Sequence, residues 1–504
     1  MRGIYTPVTK IRRKVFKEVA SFAYEGKDFS EIDELPYKII PGEIAKYRDS
    51  VFKERAIVSE RIRLAMGLNL RPVDEPAPLK DGIEKCALCE TYYEPPLINV
   101  IPFACEACPE DAVMVTNNCR GCLAHPCTAV CPTQAVYMKD GHSVIDKDKC
   151  IKCGKCILTC PYNAIVRYQR PCAQACGVNA IESDELGRAK INYDKCVSCG
   201  MCLVNCPFAA IADKSQIFQL IHAIKSDVKV IAEIAPAFVG QLGPMATPEK
   251  IKVLLKKLGF YDVYEVASGA DIGAYEEAVH FLENVPDKLP FLATSCCPSW
   301  AETAKKFFPE ITDCVSVGLT PMVLTARLIK QDYPDSKVVF IGPCAAKKLE
   351  AMRKSVRSDV DFVITFEELM GMMVANGVSL DEHTPDEPFN DATAAGRGYA
   401  VTGGVAEAIV NVIHNINPDA EIAVEKADSL SDCRKLLALA KAGKKNGYLL
   451  EGMACPGGCI GGAGTIIPTN KANSAIKKYK EHSKNKIATE NRFVAEINKK
   501  EKEL

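Results

Sequence analysis

The segment Thr294-Ser-Cys-Cys-Pro-Ser-Trp300 follows the apolar run Leu289-Pro-Phe-Leu-Ala293 and contains two adjacent cysteines. Neighbouring side chains in an extended segment point to opposite faces, so adjacent cysteines rarely belong to one ligand set. Cys296 and Cys297 are therefore expected to differ in role, with one thiolate on a metal and one thiol facing another group.

Two further cysteine segments repeat this arrangement. Gly342-Pro-Cys344-Ala-Ala-Lys347-Lys348 follows the apolar run 337–341, and Gly452-Met453-Ala-Cys455-Pro-Gly-Gly-Cys459-Ile-Gly-Gly-Ala-Gly464 follows the run 448–450. Beyond about residue 225, apolar strands alternate with helices; we predict strands at 228–236 and 361–365 and helices at 247–259 and 366–373. This pattern predicts an α/β domain, whose sites favour the carboxyl ends of strands. The three cysteine segments are expected to converge there on one site.

Length and charge bound the class of protein. The chain has 504 residues and a formal net charge of −1, so it can form several domains and has no general electrostatic attraction for nucleic acid or anionic membranes. Its start lacks a continuous apolar signal-peptide core, and no apolar stretch approaches the ~18 residues of a membrane span. We expect a soluble, cytoplasmic protein with neither nucleic acid nor membrane as partner.

Cysteine usage indicates metal binding rather than disulfides. Of the 25 cysteines, 18 lie between Cys86 and Cys206, mostly in Cys-x-x-Cys groups of a long chain without a secretion signal. The preceding residues 1–80 contain no cysteine, and the segments 11–20 and 41–55 have the apolar spacing of helices. They predict a helical segment that is either a cap packed on the metal domain or a docking surface for a partner.

A repeat organises the cysteine-rich region. Two runs, Cys150-x-x-Cys153-x-x-Cys156-x3-Cys160-Pro and Cys196-x-x-Cys199-x-x-Cys202-x3-Cys206-Pro, match the bacterial ferredoxin pattern, in which the fourth cysteine ligates the other cluster of a pair. Apolar tails recur at 134–136, 163–165, 179–181 and 209–211, which indicates four half-units. The first half-unit is Cys119-x-x-Cys122-x4-Cys127-x3-Cys131-Pro, and the third is reduced to Cys172 and Cys176.

The ferredoxin rule predicts three 4Fe–4S clusters. Their ligand sets are Cys119, Cys122, Cys127 with Cys160; Cys150, Cys153, Cys156 with Cys131; and Cys196, Cys199, Cys202 with Cys176. A fourth cluster at Cys172 and Cys206 would need two more thiolates, from one of two earlier pairs. Those pairs, Cys86-x-x-Cys89 and Cys105-x-x-Cys108, suit one tetrahedral zinc ion equally well, so iron–sulfur and zinc stay open.

Taken together, the segments 294–300, 343–348 and 453–462 resemble the three signature motifs of FeFe-hydrogenases, in the same order. The resemblance covers about residues 228–470 and implies an H-cluster: a 4Fe–4S cube joined to a two-iron unit that carries CO, cyanide and a bridging dithiolate. Departures from the best-known members, including a third motif ending Gly462-Ala-Gly-Thr465, indicate a divergent, group B-like subgroup.

The resemblance implies a role for each site residue. Cys297, Cys344, Cys455 and Cys459 would ligate the cube, with Cys459 bridging to the two-iron unit. Cys296 would pass protons to the bridging dithiolate, and Lys347 would hold a cyanide ligand, since a buried anion needs a cationic donor. Met453 would pack near the two irons, and Pro236 and Ala237 would line the cyanide side.

Proton delivery is where the sequence departs further from the family. Glu277 stands at the first of two expected glutamate positions, but His280 stands at the second, three residues along the same helical face. Ser316 matches the family's relay serine, and histidine carries protons near neutral pH. Gly342 replaces a methionine of many members, which is expected to remove packing near the two irons. Cys314 and Cys433 fit no motif and are expected to be buried structural residues.

We therefore expect three domains: a helical N-terminal segment (1–80), an α+β ferredoxin-like 4Fe–4S domain (81–225) and an α/β H-cluster domain (226–504). The expected function is that of a ferredoxin hydrogenase, which interconverts protons and H2, exchanges electrons with ferredoxin and depends on hydrogenase maturation factors. The absence of a nucleotide-binding glycine fingerprint disfavours direct use of NAD. The alternatives are a hydrogenase-related iron–sulfur assembly protein and an H2 or redox sensor.

Overall fold

The computed structural model describes residues 4–86, 94–380, 385–389 and 391–502. The longer helices carry the core, and short helices flank the cysteines. In chain order the helices are α1 Pro7–Glu25, α2 Leu35–Ile39, α3 Val51–Ala65, α4 Ile83–Cys86, α5 Pro126–Ala129, α6 Lys155–Thr159, α7 Pro171–Gln174, α8 Met201–Asn205, α9 Ile217–Ile224, α10 Pro248–Lys257, α11 Val266–Asn284, α12 Pro298–Phe307, α13 Pro321–Asp332, α14 Ala345–Glu350, α15 Phe366–Ala375, α16 Ala394–Gly398, α17 Gly404–Ile416, α18 Leu430–Lys441, α19 Thr469–Glu481 and α20 Arg492–Lys502.

The strands are short. They are β1 Ile98–Val100, β2 Ala112–Val115, β3 Val136–Lys139, β4 His142–Ile145, β5 Ile165–Tyr168, β6 Ile181–Ser183, β7 Ala189–Ile191, β8 Ile211–Asp213, β9 Val230–Ile234, β10 Asp262–Glu265, β11 Leu292–Ala293, β12 Lys337–Gly342, β13 Phe362–Thr365, β14 Ala423–Asp428 and β15 Tyr448–Met453.

Two parallel sheets form the second half of the chain. One has the order β10-β9-β12-β13 and the other the order β11-β15-β14, and all of their pairings are parallel. The central strand β9 is buried along its whole length, as expected for a parallel sheet covered by helices on both faces. The predicted α/β class is confirmed, and each cysteine segment of the site begins at the carboxyl end of a strand.

Helix ends follow local chemistry. Thr365 caps α15 in a capping box, in which its hydroxyl accepts from the Glu368 N–H and the Glu368 carboxylate accepts from the Thr365 N–H. Thr247 is the N-cap of α10, as predicted, although its side chain makes no capping hydrogen bond. The chain leaves α10 through Gly259 at a φ of +104°, a value that favours glycine.

Helix α1 belongs to the core of the α/β half. It packs on α15 and α9, and Val19 and Ala20 are fully buried there. At Gly371 of α15, an added Cβ would lie 2.7 Å from the Cβ of Phe16, so the absent side chain allows the two helices to meet closely. The N-terminal segment is thus packed on the α/β domain as well as on the metal domain.

The predicted helix over residues 41–55 is wrong for its first ten residues. Helix α3 begins only at Val51, and Ser50 caps it by accepting from the Phe52 N–H. The Glu54 carboxylate accepts backbone N–H groups of residues 46–48, which holds the preceding chain in an irregular turn. Hydrogen bonding by one helical side chain therefore outweighs the apolar spacing.

The four predicted half-units are confirmed in the cysteine-rich region. Each apolar tail begins with a residue of left-handed conformation, and the next backbone N–H donates to the sulfur of the cysteine four residues earlier. The φ values are 54°, 48°, 53° and 52° at Gln134, Asn163, Asn179 and Ala209. The N–H···S distances are 3.2, 3.4, 3.2 and 3.3 Å to Cys131, Cys160, Cys176 and Cys206.

No helix in the described part of the chain is both long and apolar enough to cross a membrane.

Candidate active site

The three cysteine segments meet at one cavity with an empty volume of about 750 Å³ and mostly apolar walls. The predicted convergence is thereby confirmed. The cavity also receives the other residues predicted to surround the cluster. Its lining includes Cys296, Cys297, Cys344, Cys455 and Cys459, together with Pro236, Ala237, Lys347 and Met453.

Strand and helix ends fix the cysteines in place. Cys297 is the N-cap of α12 and Cys344 the N-cap of α14, each between a parallel strand and the helix that follows. The fully buried Trp300 donates its indole N–H to the carbonyl of Thr294 at 2.8 Å. Its ring lies against Gly452, where an added Cβ would be 2.1 Å from a ring carbon. The first and third segments are thus locked together.

The cavity thiols suit an iron–sulfur cluster. Burial raises the pKa of Cys297, Cys344 and Cys459, and for Cys344, where the pKa reaches about 11, the next contribution is the nearby thiolate of Cys297. Burial and then the thiolates of Cys344 and Cys297 act in the same way on the pKa of Cys459. Such thiols ionise together only when cationic iron neutralises them, so an all-cysteine donor set in an apolar cavity fits a cluster.

A polar path leads away from Cys296. Burial, followed by the charge of Glu277, holds the pKa of Cys296 well above its usual value, so this residue stays a thiol. The Glu277 carboxylate, on α11, accepts from the Ser295 N–H at 3.4 Å and hydrogen-bonds to Ser316. The Ser316 hydroxyl oxygen itself accepts from the Gly318 N–H at 3.1 Å. Burial raises the pKa of Glu277 to about 7.

His280 lies one turn beyond Glu277 on α11. It is half-buried and lies outside the cavity lining. Its backbone carbonyl accepts from the Asn284 side chain at 2.8 Å, and within the described residues its ring makes no hydrogen bond. The structure therefore places His280 beside the path, and its role as a relay stays a prediction.

Lys347 is held by two residues that the sequence reasoning missed. Its ammonium donates to Thr320 Oγ1 at 2.8 Å and forms an ion pair with Glu350 Oε2 at 2.7 Å. Glu350 follows Lys347 by three residues on α14, so helical spacing was a usable signal for this pair. The approach of Thr320, 27 residues away, had no such signal.

Two more missed residues line the cavity, Tyr399 and Phe340. The Phe340 ring corrects the expectation for Gly342, since an added Cβ at that position would lie 2.4 Å from a carbon of this ring. The ring of Phe340, on the same strand, fills the space that a side chain at position 342 would occupy. The cavity wall is therefore packed by a different residue and is not left open.

A first group of accessory thiols lies beside the cavity. Burial and then the thiolates of Cys176, Cys196 and Cys297 raise the pKa of Cys199 to about 12, which places the predicted set next to Cys297. The two regions are joined directly, because the Ser299 hydroxyl of α12 donates to the carbonyl of Val197 at 2.9 Å. Burial also raises the pKa of Cys202, and the thiolates of Cys199, Cys196 and Cys176 raise it further.

Some members of the two outer predicted sets also lie close together. Burial and then the thiolate of Cys150 raise the pKa of Cys156, with a further contribution from Cys131. Ser143 joins two thiols of the other set, since its N–H donates to Cys119 Sγ at 3.4 Å and its hydroxyl lies 3.5 Å from Cys127 Sγ.

The remaining cysteines divide into three groups. Cys314 and Cys433 are buried in the apolar core, as predicted. Cys105 and Cys108 share a cavity with Cys172 and Cys206, which favours an iron–sulfur role for this pair. Cys89 lies outside the described residues, and the zinc alternative for the earliest cysteines stays a prediction.

Family models match both halves of the chain. Residues 228–463 match the C-terminal domain of the iron-only hydrogenase large subunit. Residues 142–165 match a 4Fe-4S binding domain, and residues 166–217 match the LdpA Fe-S cluster-binding domain.

Similar proteins include hydrogenases and assembly proteins. Iron hydrogenase 1 of Clostridium pasteurianum is 29% identical over 69% of this chain and 69% of its own length. A NADP-reducing hydrogenase subunit of Solidesulfovibrio fructosivorans is 30% identical over 65% of each chain. Cytosolic iron-sulfur assembly component 3 of Mus musculus is 25% identical over 51% of this chain and 65% of its own length. The chain thus spans about two thirds of the length of these relatives.

Among solved structures, an FeFe-hydrogenase of Chlamydomonas reinhardtii shares 24% identity over 54% of this chain and 90% of that chain, with a TM-score of 0.46. The family models and the hydrogenase relatives agree with the order of the motifs and with the two-part fold. The protein is an FeFe-hydrogenase homologue, in which iron–sulfur-binding domains precede the C-terminal domain typical of the iron-only hydrogenase large subunit.

Proposed function

We propose that this protein is a ferredoxin hydrogenase that interconverts protons and H2 at an H-cluster. The observation that carries the proposal is one cavity that holds the cysteine donors of the cube together with Cys296, Lys347 and Met453, the residues expected to serve the two-iron unit. A cube alone would need only the cysteines. Insertion of the two-iron unit would require hydrogenase maturation factors.

The cavity residues divide between the two parts of the cluster. Cys297, Cys344, Cys455 and Cys459 would hold the cube. The two-iron unit would lie against Pro236, Ala237, Met453 and Lys347. When bound, the cluster supplies the centre at which two electrons and two protons combine into H2, or the reverse.

Lys347 would provide a fixed positive charge for an anionic ligand. Thr320 and Glu350 hold its ammonium, and its side chain is nearly buried. An ammonium positioned in advance forms a strong charge-assisted hydrogen bond without the cost of reorganisation.

Protons would move along Cys296, Glu277 and Ser316, with His280 at the outer end. Cys296 rests as a neutral thiol because its pKa is raised, and each proton that it donates would be replaced by one from Glu277, so no thiolate remains in the cavity. Glu277, with a pKa of about 7, can both accept and release a proton near neutral pH. Each H2 formed takes two protons through this path and two electrons from the accessory side.

Electrons would reach the site through the cysteine set of Cys176, Cys196, Cys199 and Cys202, which lies beside Cys297. Ferredoxin is the proposed external partner, from or to which the accessory clusters pass electrons. Short distances between neighbouring clusters are what such a chain of carriers needs.

Iron–sulfur assembly is the second candidate, because the mouse assembly component shares 25% identity with this chain. A protein of that kind would need no two-iron unit. The residues positioned for that unit, Cys296 with its path to Glu277 and Lys347 with its two partners, favour the hydrogenase.

Infrared spectroscopy separates the two candidates. Protein produced with the maturation factors is expected to show CO and cyanide stretching bands, whereas protein produced without them should lack these bands and keep its cube signals. Absence of the bands after maturation would leave the assembly role. H2 evolution with reduced ferredoxin, compared with a small-molecule reductant, then tests the electron partner.

A further inference from the structure

The cysteine-rich region contains two ferredoxin-like folds, one inside the other. In the inner fold, β2 pairs antiparallel with β5 around the hairpin β3–β4. In the outer fold, β1 pairs antiparallel with β8 around the hairpin β6–β7. The registers correspond, since Val115 lies opposite Ile165 in the inner fold and Val100 lies opposite Ile211 in the outer one. The outer fold begins before the inner fold and ends after it.

The ends of the inserted fold are tied together. Cys108 precedes the insertion, and Arg170 follows it. The buried Arg170 guanidinium donates to the Cys108 carbonyl at 3.0 and 3.2 Å. Further in, Arg167 makes a bidentate ion pair with Asp111 at 2.6 and 2.7 Å. The chain therefore leaves the outer fold and returns to it at one place.

Equivalent hydrogen bonds mark equivalent cysteines in the two folds. In the inner fold the Ser143 N–H donates to Cys119 Sγ at 3.4 Å, and in the outer fold the Ala189 N–H donates to Cys105 Sγ at 3.3 Å. Cys119 is the first cysteine of its ferredoxin run, so Cys105 takes the first position in the outer fold.

The two donors hold the same place in their hairpins. Each lies three residues before the residue whose N–H closes the hairpin base. These closing bonds run from Asp146 to the Ala135 carbonyl and from Asn192 to the Ala180 carbonyl, both at 2.8 Å. The correspondence between the folds is therefore one of register and not only of cysteine spacing.

The four cysteines that this correspondence assigns to one cluster line one cavity, with an empty volume of about 320 Å³. Cys172 and Cys206 are buried in it. Burial and then the thiolate of Cys206 raise the pKa of Cys172 to about 11, and Arg170 opposes this rise. Burial and then the thiolates of Cys105 and Cys206 raise the pKa of Cys108. These interactions agree with the shared cavity, in which the four cysteines lie together.

We propose that Cys105, Cys108, Cys172 and Cys206 bind a fourth accessory 4Fe–4S cluster, completed across the insertion of one ferredoxin-like fold into another. The first two ligands precede the insertion and the last two follow it, so the ligand set is scattered in the sequence. The cluster would be the companion of the one beside the active site, and its place in electron transfer rests on the proposed function. The ligand assignment itself does not depend on hydrogen turnover.

The test uses the full chain made without maturation factors. Iron, sulfide and zinc are measured in the wild type, in Cys105→Ala/Cys108→Ala, and in Cys314→Ala, whose buried cysteine lines neither of the two cysteine cavities. The double variant is expected to lose about four iron atoms per chain while the control loses none. Electron paramagnetic resonance of the reduced protein should show one cluster signal fewer.

Two results would overturn the assignment: an unchanged iron content in the double variant, or a loss of zinc in place of iron. If the double variant does not fold, native alkylation of the wild type gives the answer. The four thiols should resist iodoacetamide until iron is chelated and then become reactive together; labelling of Cys105 in the iron-loaded protein would contradict the proposal. Neither readout involves H2, so failure here and failure of the hydrogenase proposal are distinguishable.

Discussion

The ring of Phe340 occupies the volume that a side chain at Gly342 would need, with ring carbons 2.4 and 2.6 Å from the position of an added Cβ. The two residues lie on the same face of β12, because side chains two apart in a strand point the same way. An aromatic ring therefore forms one wall of the cavity, and the ring fits there because residue 342 has no side chain.

Gly342→Ala is expected to destabilise the protein by about 1–3 kcal/mol, the usual cost of overpacking a dense core. Phe340→Leu/Gly342→Ala should recover part of this loss, since the smaller side chain makes room. Thermal denaturation of the three proteins measures both effects. Equal melting temperatures for the wild type and Gly342→Ala would show that the ring moves aside freely.

Cys296→Ala should abolish H2 turnover and leave the cube intact, because the thiol is the proposed donor and Cys297 the ligand. Activity is measured with a chemical reductant, and the cube by electron paramagnetic resonance. Cys433→Ala is the matched control, since Cys433 is buried near the site but lines no part of the cavity. Turnover in the Cys296 variant would remove it from the proton path.

Glu277→Gln keeps the shape of the side chain and removes its proton exchange. Turnover should fall by about 10²–10⁴-fold, the usual size of a general acid–base contribution. The wild-type pH–rate profile should bend near the Glu277 pKa of about 7, and the variant profile should not. An identical bend in both proteins would assign it to another group.

The raised pKa of Glu277 also makes the stability of the protein depend on pH. Burial raises the folded-state pKa of Glu277 from 4.5 to about 7, so the folded protein favours the protonated form. The contribution of this group to stability is full at low pH and falls as the pH rises from about 4.5 through 7. Glu277→Gln should therefore become more stable relative to the wild type as the pH is raised from 6 to 8, which melting temperatures at both pH values can show.

His280→Ala should slow turnover and shift its pH profile while the cluster signals persist. His280→Glu restores a carboxylate at that position and is expected to recover the rate with a more acidic pH response, because glutamate titrates below histidine. Kinetics unchanged in the alanine variant would make His280 an ordinary helix residue.

Lys348→Met should lower the free energy of unfolding by about 3–5 kcal/mol, because it leaves two carboxylates at a buried site without their cation. The fully buried Lys348 ammonium lies 2.7 Å from both Asp213 and Glu368, and it joins β8 of the outer ferredoxin-like fold to α15. Burial opposes its charge, yet these two carboxylates hold its pKa above the usual value.

The control for this variant is Lys435→Met, which breaks an exposed ion pair with Asp432 and should cost less than about 1 kcal/mol. Circular dichroism during heating gives both values. Similar losses in the two variants would mean that the buried network contributes no more than a surface pair.

The sequence predicts the fold where its signals are local. The strand-to-cysteine segments correctly predicted where the cavity lies, and the Cys-x-x-Cys spacing predicted three ligand sets, because each signal is contained in a short stretch. Thr320 and Phe340 were not predicted, because their approach to the site depends on how helices and strands pack. The sequence did not decide which cysteines join Cys105 and Cys108, because 63 residues separate Cys108 from Cys172 across the insertion. The irregular turn before α3 depends on the carboxylate of Glu54, and the spacing of apolar residues gives no sign of such a hydrogen bond.

The burial of α1 against α15 has a consequence for anyone who wishes to shorten the protein. A version that starts at the first cysteine would lose Phe16, Val19 and Ala20 and would expose their apolar partners to water. The first helix is therefore part of the folded core of the α/β half and cannot be removed without exposing it. A shortened version of the protein should begin no later than Thr6, which caps that helix.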